Sequence, residues 1–176
     1  MSANMKYAHI ERERRYLVLR SEDKSTPMRN LLIYDRYLIE SSLRLRRIEE
    51  EGRSTVFKLG QKIRIGEDHP LKIAHTTLYI TKNEFNALLA LPAKVLVKKR
   101  SIFPLGELHL AVDVFEDELT GLSLAEVDLG EDFTTHDPLP FEKMIEVTFD
   151  ERFTGGKLAN TSSGDLLLML TEYGAR

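Results

Sequence analysis

Charged and apolar residues alternate along most of this chain, and a period of two is the pattern of a β-strand whose two faces meet different surroundings. Turn residues such as Gly52, Gly106 and Gly121 separate the alternating runs. Eight strands in succession favour an antiparallel sheet that curls into a barrel, because closure removes the exposed edges. The predicted strands are His9–Leu19, Leu31–Ile39, Ser42–Glu49, Ser54–Leu59, Leu71–Ile80, Lys94–Phe103, Glu107–Glu116 and Leu122–Leu129.

Helices are predicted at two places. The motif Thr81-Lys-Asn-Glu84 is a capping box, and the apolar stripe behind it predicts a helix that ends before Pro92. A second helix is predicted from about Asp165 to Tyr173. Between them, Glu131–Pro140 is predicted as a loop, and Phe141–Val147 could be helical. The fold class is therefore α+β, an eight-stranded antiparallel β-barrel with flanking helices.

Length and composition indicate one folded domain over residues 1–176, with a core over about 9–160. The chain is 42% hydrophobic and 30% charged, and its net charge of −3 argues against a nucleic-acid coat, which needs a basic excess. No run approaches the ~20 apolar residues of a membrane span. No signal peptide is visible, and the chain has no cysteine. We therefore expect a cytoplasmic protein that binds neither nucleic acid nor membranes.

Six of the predicted strands carry a charged stripe opposite an apolar one, and the sign of the charge differs between strands. Carboxylate oxygens suit Mg²⁺ or Mn²⁺, whereas arginine forks and lysine ammonium groups suit phosphate oxygens. The first, seventh and eighth strands supply the carboxylates, which are Glu11, Glu13, Asp113, Glu126 and Asp128. The third, fourth and sixth strands supply cations, and the first adds one more; they are Arg44, Arg46, Lys58, Lys98, Arg100 and Arg15.

A charged stripe on one strand is usually the solvated face of an antiparallel sheet. A solvated face would mix Ser, Thr, Gln and both signs of charge on every strand, whereas this chain segregates acids and bases by strand. If the stripes point into the barrel, each unpaired ion costs several kcal/mol. An inward arrangement therefore implies a bound polyanion and a metal that balance the charges in a polar tunnel.

Six short motifs follow one another along the chain. They are Glu11-x-Glu13-x-Arg15, Tyr37-Leu38 with Arg44-Leu-Arg46, Thr55-Val-Phe-Lys58, Lys98-Lys-Arg100, the block from Val112 to Asp128, and Glu146-Val-Thr148 with Arg152-Phe153. In this order they resemble the CYTH superfamily, the triphosphate tunnel metalloenzymes. The resemblance implies an eight-stranded antiparallel barrel and a metal-dependent attack on a triphosphate.

The resemblance also implies a role for each charged residue, with Mg²⁺ or Mn²⁺ as the cofactor. The metal-binding or water-positioning residues would be Glu11, Glu13, Asp113, Glu126 and Asp128. The phosphate-binding residues would be Arg15, Arg44, Arg46, Lys58, Lys98 and Arg100. Lys58 and Tyr37 could act together on an attacking water, although Tyr37 could instead be a packing residue.

The chain departs from the family pattern at two places. Arg15 stands where lysine is usual, which keeps the charge but changes the geometry. On the fifth strand, His75, Thr77 and Tyr79 stand where alternating glutamates are expected. Fewer carboxylates recruit a second metal more weakly, so we expect tight triphosphate binding with modest turnover.

These observations predict an enzyme, a metal-dependent phosphohydrolase acting on inorganic triphosphate or a similar short polyphosphate. One alternative is a class IV-type adenylate cyclase, or a nucleoside or thiamine triphosphatase, of the same superfamily. A second is a non-catalytic polyphosphate-binding module, which the missing fifth-strand glutamates favour. The expected partner is a small polyanion, and the sequence leaves a homodimer open.

Overall fold

The computed structural model describes residues 6–19, 26–65, 72–130 and 143–174. Strands dominate this part of the chain, with three α-helices between and after them. In chain order the elements are β1 (His9–Val18), β2 (Arg29–Leu38), β3 (Leu43–Glu49), β4 (Val56–Arg64), β5 (Lys72–Ile80), α1 (Lys82–Leu88), β6 (Ala93–Leu105), β7 (Leu108–Phe115), β8 (Ser123–Asp128), β9 (Met144–Glu146), α2 (Gly155–Leu158) and α3 (Ser163–Glu172).

Eight of the strands form a closed antiparallel barrel. Their order is β5-β4-β3-β2-β6-β7-β8-β1, and β1 pairs with β5 to close the ring. The first half of β1 pairs with β5 and the second half with β8, while the short strand β9 lies along the last residues of β1. The predicted fold class is confirmed.

The strand register brings opposite charges face to face on the inner surface. Glu126 of β8 lies opposite Arg15 of β1, and Asp113 of β7 lies opposite Arg100 of β6. Side chains alternate between the two faces of a strand, so the residues two positions before and after each of these lie on the same inner face. The predicted charged stripes therefore point into the barrel.

The C-terminal segment closes one end of the barrel with an apolar core. Phe153 and Leu158 are almost fully buried and pack with α3 residues such as Leu166. Their partners from the barrel wall include Leu17, Leu96, Phe115 and Leu124. Full burial of a side chain of this size stabilises the fold by about 1.5–3 kcal/mol. The apolar inner positions thus anchor a plug, and the charged inner positions lie beyond it.

Local structure differs from the sequence-based expectation at two places. The sequence left a helix open over Phe141–Val147, but the described part of this segment contains strand β9, which hydrogen-bonds along β1. The fourth strand was expected to end at Leu59 because Gly60 reads as a turn residue. Instead β4 continues to Arg64, and Gly60 is buried within it; a side chain there would lie 3.5 Å from His75 Nε2. Glycine inside a strand here accompanies close packing rather than a turn.

Other local predictions hold. The Thr81–Glu84 capping box forms at the start of α1, and α3 covers most of its predicted range, with its own capping box from Ser162 to Asp165. The predicted loop Glu131–Pro140 lies outside the described residues. No helix in the described ranges combines the length and the apolar character that crossing a bilayer would require.

Candidate active site

A cavity of about 400 Å³ lies inside the barrel, next to the apolar plug. Its lining carries many more cationic than anionic side chains. The cations are Arg15, Arg44, Arg46, Lys62, Arg64, Lys98 and Arg100, and the carboxylates are Glu13, Glu126 and Glu151. Such an excess of positive charge inside a protein favours an anionic ligand that carries several charges.

Asp35 holds two of these arginines from behind. Arg46 donates to it in a two-pronged fork, with Nε to Oδ1 and Nη2 to Oδ2 both at 2.6 Å. Arg44 Nε lies 3.7 Å from the same carboxylate. Burial would raise the pKa of the fully buried Asp35, but the charge of Arg46 outweighs it and lowers the pKa to about 2. Asp35 therefore stays ionised and fixes the arginine planes.

Arg44 keeps one donor uncommitted. Its Nε is buried and makes no hydrogen bond to any described residue. A buried donor without a partner costs about 1–3 kcal/mol. Arg44 also borders the cavity, where its charge favours an anionic ligand.

Asp113 likewise holds two cationic residues of β6. It is 1% exposed and binds Lys98 at 2.5 Å and Arg100 at 2.6 Å through both prongs of the guanidinium. It does not line the cavity, whereas Lys98 and Arg100 do. In this structure Asp113 orients two cations toward the cavity.

Glu126 lies between two arginines at the cavity wall. Arg15 Nε donates to Oε1 at 3.0 Å, and Arg100 Nη2 donates to Oε2 at 2.7 Å. Burial would raise the pKa of Glu126, but Arg15 and Arg100 lower it well below its usual range. Glu126 is therefore an ionised carboxylate that faces the cavity.

Lys98 and Tyr37 are two lining residues whose pKa values are shifted by burial. Burial lowers the pKa of Lys98 despite the nearby Asp113. Burial also raises the pKa of Tyr37, so the phenol keeps its proton at neutral pH. Tyr37 packs tightly against α2, because a side chain at Gly155 would come within 1.9 Å of its hydroxyl. This contact fixes the ring at the edge of the plug.

A second cavity of about 340 Å³ continues the first. Both are bordered by Glu13, Arg100 and Glu126, and Asp128 lines only the second. The Asp128 carboxylate accepts from the backbone N–H groups of Arg12 and Gly130, at 3.2 and 2.9 Å. The two cavities meet at the carboxylates of β1 and β8.

The structure brings most of the predicted site residues together at this cavity. Those that line it are Glu13, Arg15, Tyr37, Arg44, Arg46, Lys98, Arg100 and Glu126. Glu11 and Asp113 lie behind the lining, each bound to cations. Lys58 also lies outside the lining, with its ammonium 4.7 Å from the ring of Tyr79, which is 73% exposed. The role of Lys58 in activating water stays a prediction.

Two residues that the sequence analysis missed are central to the site. Lys62 lines the cavity, and the period of two from Lys58 through Gly60 would have found it if Gly60 had been read as part of the strand. Asp35 lies between Ile33 and Tyr37 on the inner face of β2. A single charge among apolar inner positions was the available signal.

The chemistry of the carboxylates allows a metal that arrives together with phosphate. Among the described residues, no three His, Asp or Glu side chains form a group that could hold an ion by themselves. Mg²⁺ usually keeps several waters and uses one or two carboxylates together with substrate phosphates. Glu126 and Asp128 lie two residues apart on β8, at the junction of the two cavities, and fit that requirement.

Solved structures with the same architecture exist. One is a crystal structure of the inorganic triphosphatase NE1496, which is 23% identical to this chain. The alignment covers 86% of this chain and 95% of NE1496, with a TM-score of 0.57. A second structure of NE1496, described as a hypothetical protein, is 22% identical over 86% and 99% of the two chains, also with a TM-score of 0.57. The chain shares the fold of these two structures, and its own strands form a closed eight-stranded antiparallel barrel. We call the interior of the barrel the tunnel.

The resemblance predicted from the sequence motifs is confirmed for the tunnel fold. At this level of identity the comparison concerns architecture alone. No family model and no curated protein matches the chain by sequence. The chemistry of the tunnel must therefore be argued from its own residues.

Proposed function

We propose that the protein is a metal-dependent phosphohydrolase that hydrolyses inorganic triphosphate or a short polyphosphate inside the tunnel. One observation carries the proposal: seven cationic side chains and only three carboxylates line a cavity of about 400 Å³ inside the barrel. The motif order along the sequence and the shared fold with a protein described as an inorganic triphosphatase support it.

The substrate would lie among the arginine and lysine side chains that Asp35 and Asp113 hold in place. Arg44 and Arg46 would bind one phosphoryl group, and Lys98 and Arg100 another. Arginine forks match phosphate oxygens in two-pronged geometry, and orientation by a buried carboxylate means that little freedom is lost on binding. Phosphoryl transfer depends mainly on such positioning and charge neutralisation.

Arg15 and Arg100 would shift from Glu126 to the phosphate when substrate enters. That exchange would free the Glu126 carboxylate, and Asp128 lies beside it on the same strand face. Together they would hold Mg²⁺ or Mn²⁺ at the junction of the two cavities. When bound, such an ion would neutralise charge on the phosphate oxygens and lower the pKa of water.

Lys98 would neutralise charge on the reacting phosphoryl group, because its ammonium lines the cavity and is held there by Asp113. The protonated hydroxyl of Tyr37 would donate a hydrogen bond that orients the water or a phosphate oxygen. The apolar plug of Leu96, Phe153 and Leu158 would exclude bulk water from that end of the tunnel.

A phosphate-release panel tests the proposal. Tripolyphosphate, pyrophosphate, ATP and thiamine triphosphate would each be assayed with Mg²⁺ and with Mn²⁺, and cyclic AMP would be measured in the ATP samples. We expect metal-dependent release that is fastest from tripolyphosphate. Cyclic AMP formation, faster release from an organic triphosphate, or binding without release would each overturn the proposal and identify one of its alternatives.

A further inference from the structure

Lys62 lies between the two carboxylates of the first strand. Its ammonium is 2.8 Å from Glu11 Oε2, and it donates to Glu13 Oε1 in a still shorter contact. Lys62 and Glu13 line the tunnel, whereas Glu11 lies behind it. The cation therefore joins an outer and an inner carboxylate.

His75 holds the other oxygen of Glu11. Its Nδ1 lies 2.5 Å from Glu11 Oε1, and its Nε2 lies 3.0 Å from the hydroxyl of Thr77. Both ring nitrogens are thus engaged, and the ring is fixed against Glu11. Both Glu11 oxygens are therefore contacted by basic side chains.

We propose that Lys62 is a resident counter-ion for Glu11 and Glu13, and that the tunnel consequently binds one divalent cation per chain rather than two. The inference rests on the proposed metal-dependent function, and it specifies how many ions that function uses. Glu126 and Asp128 remain as the carboxylate pair for the single ion.

The charge balance explains why a second ion would be excluded. A site for a divalent cation depends on the number of uncompensated carboxylate charges. Glu11 and Glu13 supply two, and the ammonium of Lys62 cancels one of them. The Lys62 ammonium contacts one carboxylate oxygen of each glutamate, so its charge lies between them. An ion entering between the two glutamates would also have to displace a group tethered to β4.

Metal stoichiometry tests the inference without measuring turnover. The full chain would be dialysed to equilibrium against Mn²⁺ and an excess of imidotriphosphate, an analogue that resists hydrolysis. Bound Mn²⁺ per chain would then be measured by elemental analysis. We expect one Mn²⁺ per chain in the wild type and two in Lys62→Met, in which the ammonium no longer offsets the charge of Glu11 and Glu13.

Two further variants control the result. Lys99→Met removes a lysine that pairs with Glu116 outside the tunnel, and should leave the count at one. Glu11→Gln combined with Lys62→Met removes both the ammonium and the Glu11 carboxylate. Only the Glu13 charge then remains, so the count should return to one.

Each outcome decides between the two proposals. Two Mn²⁺ in the wild type, or one Mn²⁺ in a folded Lys62→Met protein, would overturn the inference and leave the proposed function standing. No bound Mn²⁺ in either protein would overturn the metal-dependent function as well. Two ions in the double variant would show that Lys62 acts by some route other than neutralising Glu11.

Discussion

The buried ion pair between Asp35 and Arg46 makes a quantitative prediction for Asp35→Asn. The substitution keeps the shape of the side chain and removes its charge, which leaves the buried guanidinium of Arg46 without its counter-ion. Removing one partner of a buried pair costs about 3–5 kcal/mol. In a domain of 150–250 residues each kcal/mol lowers Tm by about 2–4 °C. We therefore expect Asp35→Asn to lower Tm by about 6–20 °C.

The pKa of Asp35 gives a second estimate of how much the charge of Asp35 stabilises the fold. Lowering the pKa from 3.8 to about 2 corresponds to about 2 kcal/mol of stabilisation of the charged form. This value is smaller because it omits the cost of leaving Arg46 unpaired. Since the folded pKa lies below the ordinary one, the stabilisation is present above pH 3.8 and is lost as the pH falls toward 2. In Asp35→Asn, the loss of stability between pH 3.8 and about 2 should be smaller than in the wild type.

Thermal unfolding with and without tripolyphosphate would test the prediction. Phosphate oxygens can replace the lost carboxylate beside Arg46, so saturating tripolyphosphate should narrow the gap in Tm between variant and wild type. Glu116→Gln is a suitable control, because its exposed pair with Lys99 contributes about 0–1 kcal/mol. A Tm close to that of the wild type, or a gap that tripolyphosphate leaves unchanged, would refute the reasoning.

Three other predictions concern the tunnel. Glu126→Gln should abolish metal-dependent phosphate release while the protein still melts cooperatively, and normal metal-dependent release would exclude Glu126 as a ligand. The double variant Arg44→Ala with Arg46→Ala should lose most of the rise in Tm that tripolyphosphate causes. The control Arg47→Ala should keep this rise, because the Arg47 guanidinium stacks 3.9 Å from the centroid of the Tyr34 ring. An undiminished rise in the double variant would show that Arg44 and Arg46 do not bind the polyanion. Lys98→Met should lower kcat/KM for tripolyphosphate by about 10-fold or more, because a charge-assisted hydrogen bond to phosphate is lost; an unchanged kcat/KM would show that Lys98 does not bind the substrate.

The fold was predictable because its strands alternate so regularly. A charged inner stripe recurs on β1, β3, β6, β7 and β8, and the register then follows from antiparallel pairing. The sequence left a helix open over Phe141–Val147 because three strand residues are too few to show a period of two. Pairing along β1, a tertiary interaction, determines their conformation.

The sequence predicts which residue types form the site, but not which of them line the cavity. Alternation puts Glu11, Glu13 and Arg15 on one face, yet only the strand register and the barrel closure decide which of them reaches the cavity. Glu11 and Asp113 lie one layer behind it, where they hold cations. Lys58 and Lys62 share a face of β4, and the sequence alone could not separate the tunnel residue from the one beside Tyr79.

The location of the bound polyanion tests the central claim most directly. A crystal structure with imidotriphosphate and Mn²⁺, with anomalous data collected at the manganese edge, would show both groups. The account expects three phosphoryl groups inside the barrel, in contact with Arg44, Arg46, Lys98 and Arg100, and an anomalous peak beside Glu126. Phosphate bound only on the outer surface, with the cavity empty of it, would contradict the account.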